Sequence, residues 1–150
     1  MNAISQTAEY ALRAVVRIAT GGGAPVTTRE IADSTRVPAD YLSKVLQMLA
    51  RGGIVQARRG QGGGFVLTRS PEELTILDVV GAVDPIRRIR TCPLGLPEHR
   101  DRLCPLHRRL DAALEAVEAS LGATTVAEIM REGGGGMGEP GPAPDRPRTR

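Results

Sequence analysis

Residues 27–65 read TTREIADSTRVPADYLSKVLQMLARGGIVQARRGQGGGF. Thr27 and Glu30 have the spacing of a capping box, in which the hydroxyl satisfies one orphan N–H of a helix start and the carboxylate another. They predict a short helix over residues 28–34 that buries Ile31 and Ala32. Thr35-Arg36 is a polar break, and Pro38 stands where the first turn of a second helix tolerates it. That helix carries Tyr41, Leu42, Val45, Leu46 and Leu49 at three- and four-residue spacing, which makes one apolar face; Asp40, Ser43, Lys44 and Gln47 fall on the wet face. Gly52-Gly53 stops it. Two short alternating runs, residues 54–57 and 65–67, flank Arg58-Arg59-Gly60-Gln61-Gly62-Gly63-Gly64 and read as a β-hairpin with a basic, glycine-rich tip.

Helix, tight turn, helix and basic hairpin together specify a winged helix-turn-helix, mainly α with one small hairpin. Such a fold reads DNA by placing short polar side chains of the second helix in the major groove. The wing lies along the backbone, where arginine neutralises phosphate and glycine allows close approach. The candidate contacts are Ala39, Asp40, Tyr41, Ser43, Lys44 and Gln47 on the second helix, and Thr28 and Arg29 at the start of the first. Arg58, Arg59, Gly60 and Gln61 are the candidates on the wing. The net charge of +3 is modest, but the sequence pI of about 9.4 favours an anionic partner. The cations also concentrate where they are needed: Arg36, Lys44, Arg51, Arg58 and Arg59 stand against the single acid Asp40 in that interval.

The 150 residues suit one domain with appendages, and 41% hydrophobic residues suffice for a core. Only 2% are aromatic, so the core is built of Leu, Val, Ile and Ala. A small, thin core favours dimerisation. No apolar run approaches a membrane span and no basic-then-apolar leader is present, so a cytoplasmic protein without membrane contact is expected. Two cysteines are too few for a disulfide-stapled secreted fold and read as ligands or redox-active thiols.

The division expected is a winged domain over residues 1–85, a Cys/His loop with a dimerisation helix over 86–132, and a disordered tail over 133–150. Helical spacing of Ile4, Ala8, Ala11, Leu12, Val15, Ile18 and Ala19 predicts an amphipathic first helix that ends at Gly21-Gly22-Gly23. After the wing, Thr75 and Asp78 open a helix of about eight residues. The linker then carries Arg87, Arg88 and Arg90, equally suited to phosphate or to solvent. Residues 91–110 read TCPLGLPEHRDRLCPLHRRL and hold every cysteine and histidine of the chain: Cys92, His99, Cys104 and His107, within sixteen residues. Their proline- and glycine-rich setting is a loop able to fold around an ion. Leu106, Leu110, Ala113, Leu114, Val117 and Leu121 continue as an amphipathic helix, assigned to a dimer interface. Thr125 and Glu128 cap a last short turn. The tail from Gly133 is too rich in Gly and Pro to pack.

The chain resembles the IscR/NsrR (Rrf-two) family of dimeric winged-helix bacterial transcription regulators, many of which carry an iron–sulfur cluster. The residues that carry the resemblance are Glu9-Tyr10-Ala11-Leu12-Arg13, Ile31-Ala32, Tyr41-Leu42, Leu46, Leu49, Gly53-Ile54-Val55, Arg59-Gly60-x-Gly62-Gly63-Gly64-Phe65 and Cys92 through His107. Cys92, Cys104 and His107 match family ligand positions. The family's middle cysteine is absent, and Glu98 and His99 stand near its place. Glu9 matches a carboxylate that in some members completes the site across the dimer. The resemblance implies a [2Fe–2S] cluster of mixed ligation on Cys92, His99, Cys104 and His107, since imidazole replaces thiolate in Rieske centres. The same four residues also suit tetrahedral zinc, and the two thiols alone suit a redox switch or no site at all.

The expected function is thus a homodimeric, sequence-specific regulator, a repressor that reads a pseudo-palindromic operator on double-stranded DNA and senses redox state, nitric oxide or cluster status. A thiol oxidoreductase is disfavoured because the cysteines do not form C-x-x-C, and the glycine run lies between strands rather than before a helix. An enzyme is therefore not expected. A metal-binding module that uses the winged helix for protein contacts is the remaining alternative.

Overall fold

The computed structural model describes residues 4–133. Six α-helices and one hairpin follow in the order α1 (Gln6–Ala19), α2 (Thr28–Thr35), α3 (Ala39–Arg51), β1 (Val55–Arg58), β2 (Gly64–Leu67), α4 (Ile76–Val83), α5 (Pro105–Ala123) and α6 (Val126–Glu132). The chain is a winged helix-turn-helix with a long helix appended. The expected disordered tail lies outside the described residues, save Gly133.

Helix starts are set by local chemistry. Ser5 caps α1 by accepting from Ala8 N–H. Thr27/Glu30, Thr75/Asp78 and Thr125/Glu128 each form both hydrogen bonds of a capping box. The break between α2 and α3 is made by Arg36, the sole non-glycine among the described residues with a positive φ, at 56°. Pro38 then takes the N-cap position of α3 rather than a place within its first turn.

The apolar faces predicted from spacing meet in one core. Ala8, Ala11, Ala14, Val15 and Ile18 of α1 are buried against Ile31, Leu42, Val45, Leu46, Leu49, Val79 and Val80. Helix α1 is the hub and packs on α2, α3, α4, α6 and β2. The hairpin pairs antiparallel, with Val55 opposite Leu67 and Arg58 opposite Gly64. Val26 and Phe65 exchange both backbone hydrogen bonds at 2.8 and 3.0 Å, which anchors the wing to the segment entering α2.

Helix α5 buries none of its side chains and leaves Leu106, Leu110 and Val117 exposed. The chain that departs at Pro85 returns at Val126, which is wholly buried and donates to Leu74 C=O at 2.8 Å. The last turn expected from sequence is therefore a full capped helix, α6, packed on α1. Among the described residues no helix is long and apolar enough to cross a membrane.

Gly64 makes the wing anchor possible. Its φ is +150°, and a Cβ there would stand 2.6 Å from the Val26 carbonyl group. Gly64→Ala is expected to destabilise the fold by about 2 kcal/mol or more, from backbone strain and collision together. Denaturant unfolding checks this, and an unchanged midpoint would remove the wing anchor from the account.

Candidate nucleic-acid interface and metal-binding loop

The outward face of α3 presents Ala39, Asp40, Ser43, Lys44, Gln47 and Arg51, all exposed, while Leu42, Val45, Leu46 and Leu49 point into the core. Arg58, Arg59, Gly60 and Gln61 are exposed at the wing tip. Among the described residues, no carboxylate lies within ion-pair reach of Arg36, Lys44, Arg51, Arg58 or Arg59. These cations are uncommitted. Arg29 is exposed and pairs loosely with Asp33 at 3.9 Å, and Thr28 is half-buried. Ser43 Oγ donates to Ala39 C=O at 3.1 Å. Tyr41 is turned toward α1: its ring packs edge-on to Tyr10 with centroids 5.6 Å apart, and its hydroxyl lies 2.5 Å from Thr7 Oγ1. Its edge is 37% exposed, so it braces α3 as much as it faces outward. Gly63 closes the tip by donating to Gly60 C=O at 3.0 Å, and a Cβ on it would fall 2.3 Å from Arg58 O.

Three of the four expected metal donors, Cys92, His99 and Cys104, converge as a mutually close group, and His107 joins them through the two sulfurs. Gly95 N–H donates to Cys92 C=O at 3.3 Å and folds the loop back, and a 3-10 turn, Pro97–His99, presents His99. Cys104 caps α5, its sulfur accepting from His107 N–H at 3.5 Å, with Pro105 pre-set for the first turn. Cys92 Sγ lies 3.4 Å from His99 Nδ1 and 3.6 Å from His107 Nδ1, and Cys104 Sγ lies 3.1 Å from His107 Nδ1. Cys92, His99 and Cys104 offer donor atoms all within 4.8 Å of one another. Cys104 is buried and the other three are half-buried. The His107 backbone N–H, then the His107 and Cys92 side chains, hold the Cys104 thiol down to about 7 against the opposing effect of burial. A helix N-terminus is where a thiolate is favoured. Glu9 is instead engaged within its own helix: it pairs with Arg13, whose guanidinium also donates to Thr35 C=O at 3.4 Å and so ties α1 to the end of α2.

One functional group escaped the sequence reading. Arg88, open there to phosphate or solvent, is committed to α5. Its Nε and Nη2 donate to both oxygens of Asp111 at 2.7 and 2.6 Å, and Glu115 and Glu118 stand at 3.5 and 3.4 Å. Asp111 also accepts from Ile89 N–H at 2.8 Å. The signal was the row of acids at 111, 115 and 118 on one face of α5, four and three residues apart. The Arg88 hydrogen bonds, followed by that of Ile89, hold the Asp111 carboxyl down at about 2, against the opposing effect of burial.

The protein-family profile described as "Rrf2: Iron-dependent Transcriptional regulator" matches residues 4–132. The chain is 31% identical over 129 residues to the HTH-type transcriptional repressor NsrR of Streptomyces coelicolor, covering 85% of this chain and 87% of that protein. Its fold is that of CymR (YrzC), the global cysteine regulator of B. subtilis, with a TM-score of 0.71 at 24% identity over 88% of this chain and 98% of the other. IscR of T. potens superposes with a TM-score of 0.70 at 20% identity, covering 87% and 88% of the two chains. These relatives are regulators rather than enzymes.

Asp111 is depressed in the folded protein. Its contribution to stability is therefore complete above the unfolded carboxyl value of about 3.9 and is lost as pH falls from about 4 to about 2. Asp111→Asn is expected to flatten that acid limb and to lower the melting temperature at neutral pH by several degrees. Thermal melts at a series of pH values check both; an unchanged acid limb would show that the pair is not maintained.

Proposed function

The chain belongs to the Rrf2 family of transcriptional regulators, and from that premise we propose that it is a homodimeric, sequence-specific DNA-binding repressor whose Cys/His loop sets its affinity for the operator. The observation that carries this reading is the set of exposed cations on α3 and at the wing tip that have no ion-pair partner among the described residues. On the surface of a folded protein, cations are commonly matched by nearby acids; Lys44, Arg51, Arg58 and Arg59 are left for phosphate. Ala39, Asp40, Ser43 and Gln47 read base edges, with Thr28, Arg29 and Tyr41 at the margin of the contact. Arg58, Arg59, Gly60 and Gln61 follow the backbone.

Two-fold pairing of α5 through Leu106, Leu110 and Val117 supplies the dimer, and a two-fold protein matches a pseudo-palindrome. Loss of a bound metal, or oxidation of Cys92 and Cys104, releases the loop from the head of α5. The two reading heads then change separation. Such a change alters repression only through a difference in operator affinity between the two states. The [2Fe–2S] cluster that the family resemblance implies would sort thiolates onto one iron and imidazoles onto the other. The distances in the loop instead pair each imidazole with a thiolate.

Arg59→Ala is expected to weaken binding to all duplexes alike and to reduce the slope of log K against log salt by about 1. Mobility shifts across a salt series measure this, and unchanged binding at every salt concentration rejects the wing contact. Cys92→Ala should keep the fold and operator affinity of one state while losing the response to oxidant or nitric oxide. A variant that responds like the wild type excludes the loop as the sensor.

A further inference from the structure

We propose that Cys92, His99, Cys104 and His107 form a closed tetrahedral site for a single divalent ion, zinc by its chemistry, rather than the ligand set of a two-iron cluster. The proposal deepens the reading of the loop as the regulatory element and rests on it for its consequence. Around one tetrahedral zinc, with Zn–S of about 2.3 Å and Zn–N of about 2.0–2.1 Å, a sulfur and a nitrogen donor lie about 3.6 Å apart. The three sulfur–nitrogen separations in the loop are 3.4, 3.6 and 3.1 Å. They form a chain, His99 to Cys92 to His107 to Cys104, that links all four donors.

That chain is not the donor arrangement of a bound two-iron cluster. Donors on different irons are set apart by the iron–iron axis as well as by two outward-leaning bonds, so they do not approach to hydrogen-bonding distance. Any thiolate and imidazole in such contact must share one iron. Linked pairwise, all four donors would then share it, leaving the second iron without protein ligands. The division of Rieske centres, two imidazoles on one iron and two thiolates on the other, is the reverse of what the loop presents.

The chemistry of the donors agrees. Two thiolates and two neutral imidazoles are the Cys2His2 set of structural zinc, borderline-soft donors for a borderline-soft ion. On binding, the ion displaces the two thiol protons, and the completed site is electrically neutral, which suits its half-buried position. Both histidines face the sulfurs through Nδ1. Four donors fill the tetrahedron, so no position is left for Glu9, whose carboxylate is already paired with Arg13. The consequence is mechanical: an ion at this point clamps the loop to the first turn of α5, where Cys104 is both ligand and helix cap.

The test uses the full-length protein, purified anaerobically and stripped with chelator. Titration with cobalt(II) and zinc(II) is followed by absorbance, iron and sulfide are assayed after attempted cluster reconstitution, and operator binding is measured on the same samples. The expected result is one equivalent of metal per chain and the intense visible absorption of tetrahedral cobalt with thiolate charge-transfer bands. Zinc should displace the cobalt. His99→Ala and His107→Ala should each abolish the tetrahedral spectrum and weaken zinc binding by about 100-fold or more, beyond the 10–100-fold typical of losing an outer-shell partner. Glu9→Ala should leave the stoichiometry unchanged. Equal amounts of iron and sulfide that zinc does not displace would overturn the proposal, as would a cobalt spectrum indifferent to both histidine variants, or no metal uptake at all. A tetrahedral cobalt spectrum without operator binding would sink the regulator reading and leave the metal site standing.

Discussion

The bidentate pair between Arg88 and Asp111 is the constraint on which the geometry of the loop depends. Both side chains are only 17% exposed, and the carboxylate sits on the second turn of α5. By accepting from Ile89 N–H as well, Asp111 fixes the linker three residues before Cys92. Between Pro85 and Cys104 the chain has one 3-10 turn and no other regular structure, a length at which a loop ordinarily needs a function or an anchor. A buried pair of this kind adds little net stability over an apolar replacement, yet breaking one side of it is costly because the other charge is stranded. Its effect is therefore positional. His107 and Asp111 are four residues apart on α5, so the candidate donor and the tether share one face of the helix.

Cys104 couples that face to the helix itself. As N-cap it accepts a backbone N–H that would otherwise go unsatisfied, and the partial positive charge of the helix start favours its ionised form. A change at this sulfur would be felt twice, once by the ion of the proposed site and once by the helix it begins. The exposed leucines of α5 lie on the neighbouring stripe, at positions 106 and 110, one residue before His107 and Asp111. A disturbance at Cys104 therefore reaches the face available to a second copy of the chain without crossing the core.

Much of this was legible in the sequence because it is written in short-range chemistry. The capping boxes at Thr27, Thr75 and Thr125 need only residues three apart. The faces of α1 and α3 need only helical spacing. The candidate metal donors stood out because cysteine and histidine are rare in this chain and all fall in one interval. What was hidden depends on distant partners. Arg88 and Asp111 are 23 residues apart, and an arginine in a linker carries no local mark that separates carboxylate from phosphate or solvent. Tyr41 shows the same limit: helical spacing places it at the edge of the apolar face, but only the packing of α1 turns its hydroxyl to Thr7. Glu9 read as a possible ligand across the dimer, whereas Arg13 draws it into the joint between α1 and α2.

Where the molecule yields is decided by the contrast between its two halves. Helices α1 to α4 share a core of fully buried Leu, Val and Ile, and truncating one of the larger of these to alanine costs about 2–5 kcal/mol. Helix α5 has no fully buried side chain and is joined to that body through α4, through Leu121 at the margin of the core, and through the Arg88 pair. A tenfold change in operator occupancy requires only about 1.4 kcal/mol of differential affinity. That is less than the disruption of one core side chain and within reach of a shift at the α5 joint. On the proposed reading, a signal at Cys92 and Cys104 would act on the angle between α5 and an unchanged winged helix, altering the spacing of two reading heads rather than the shape of either.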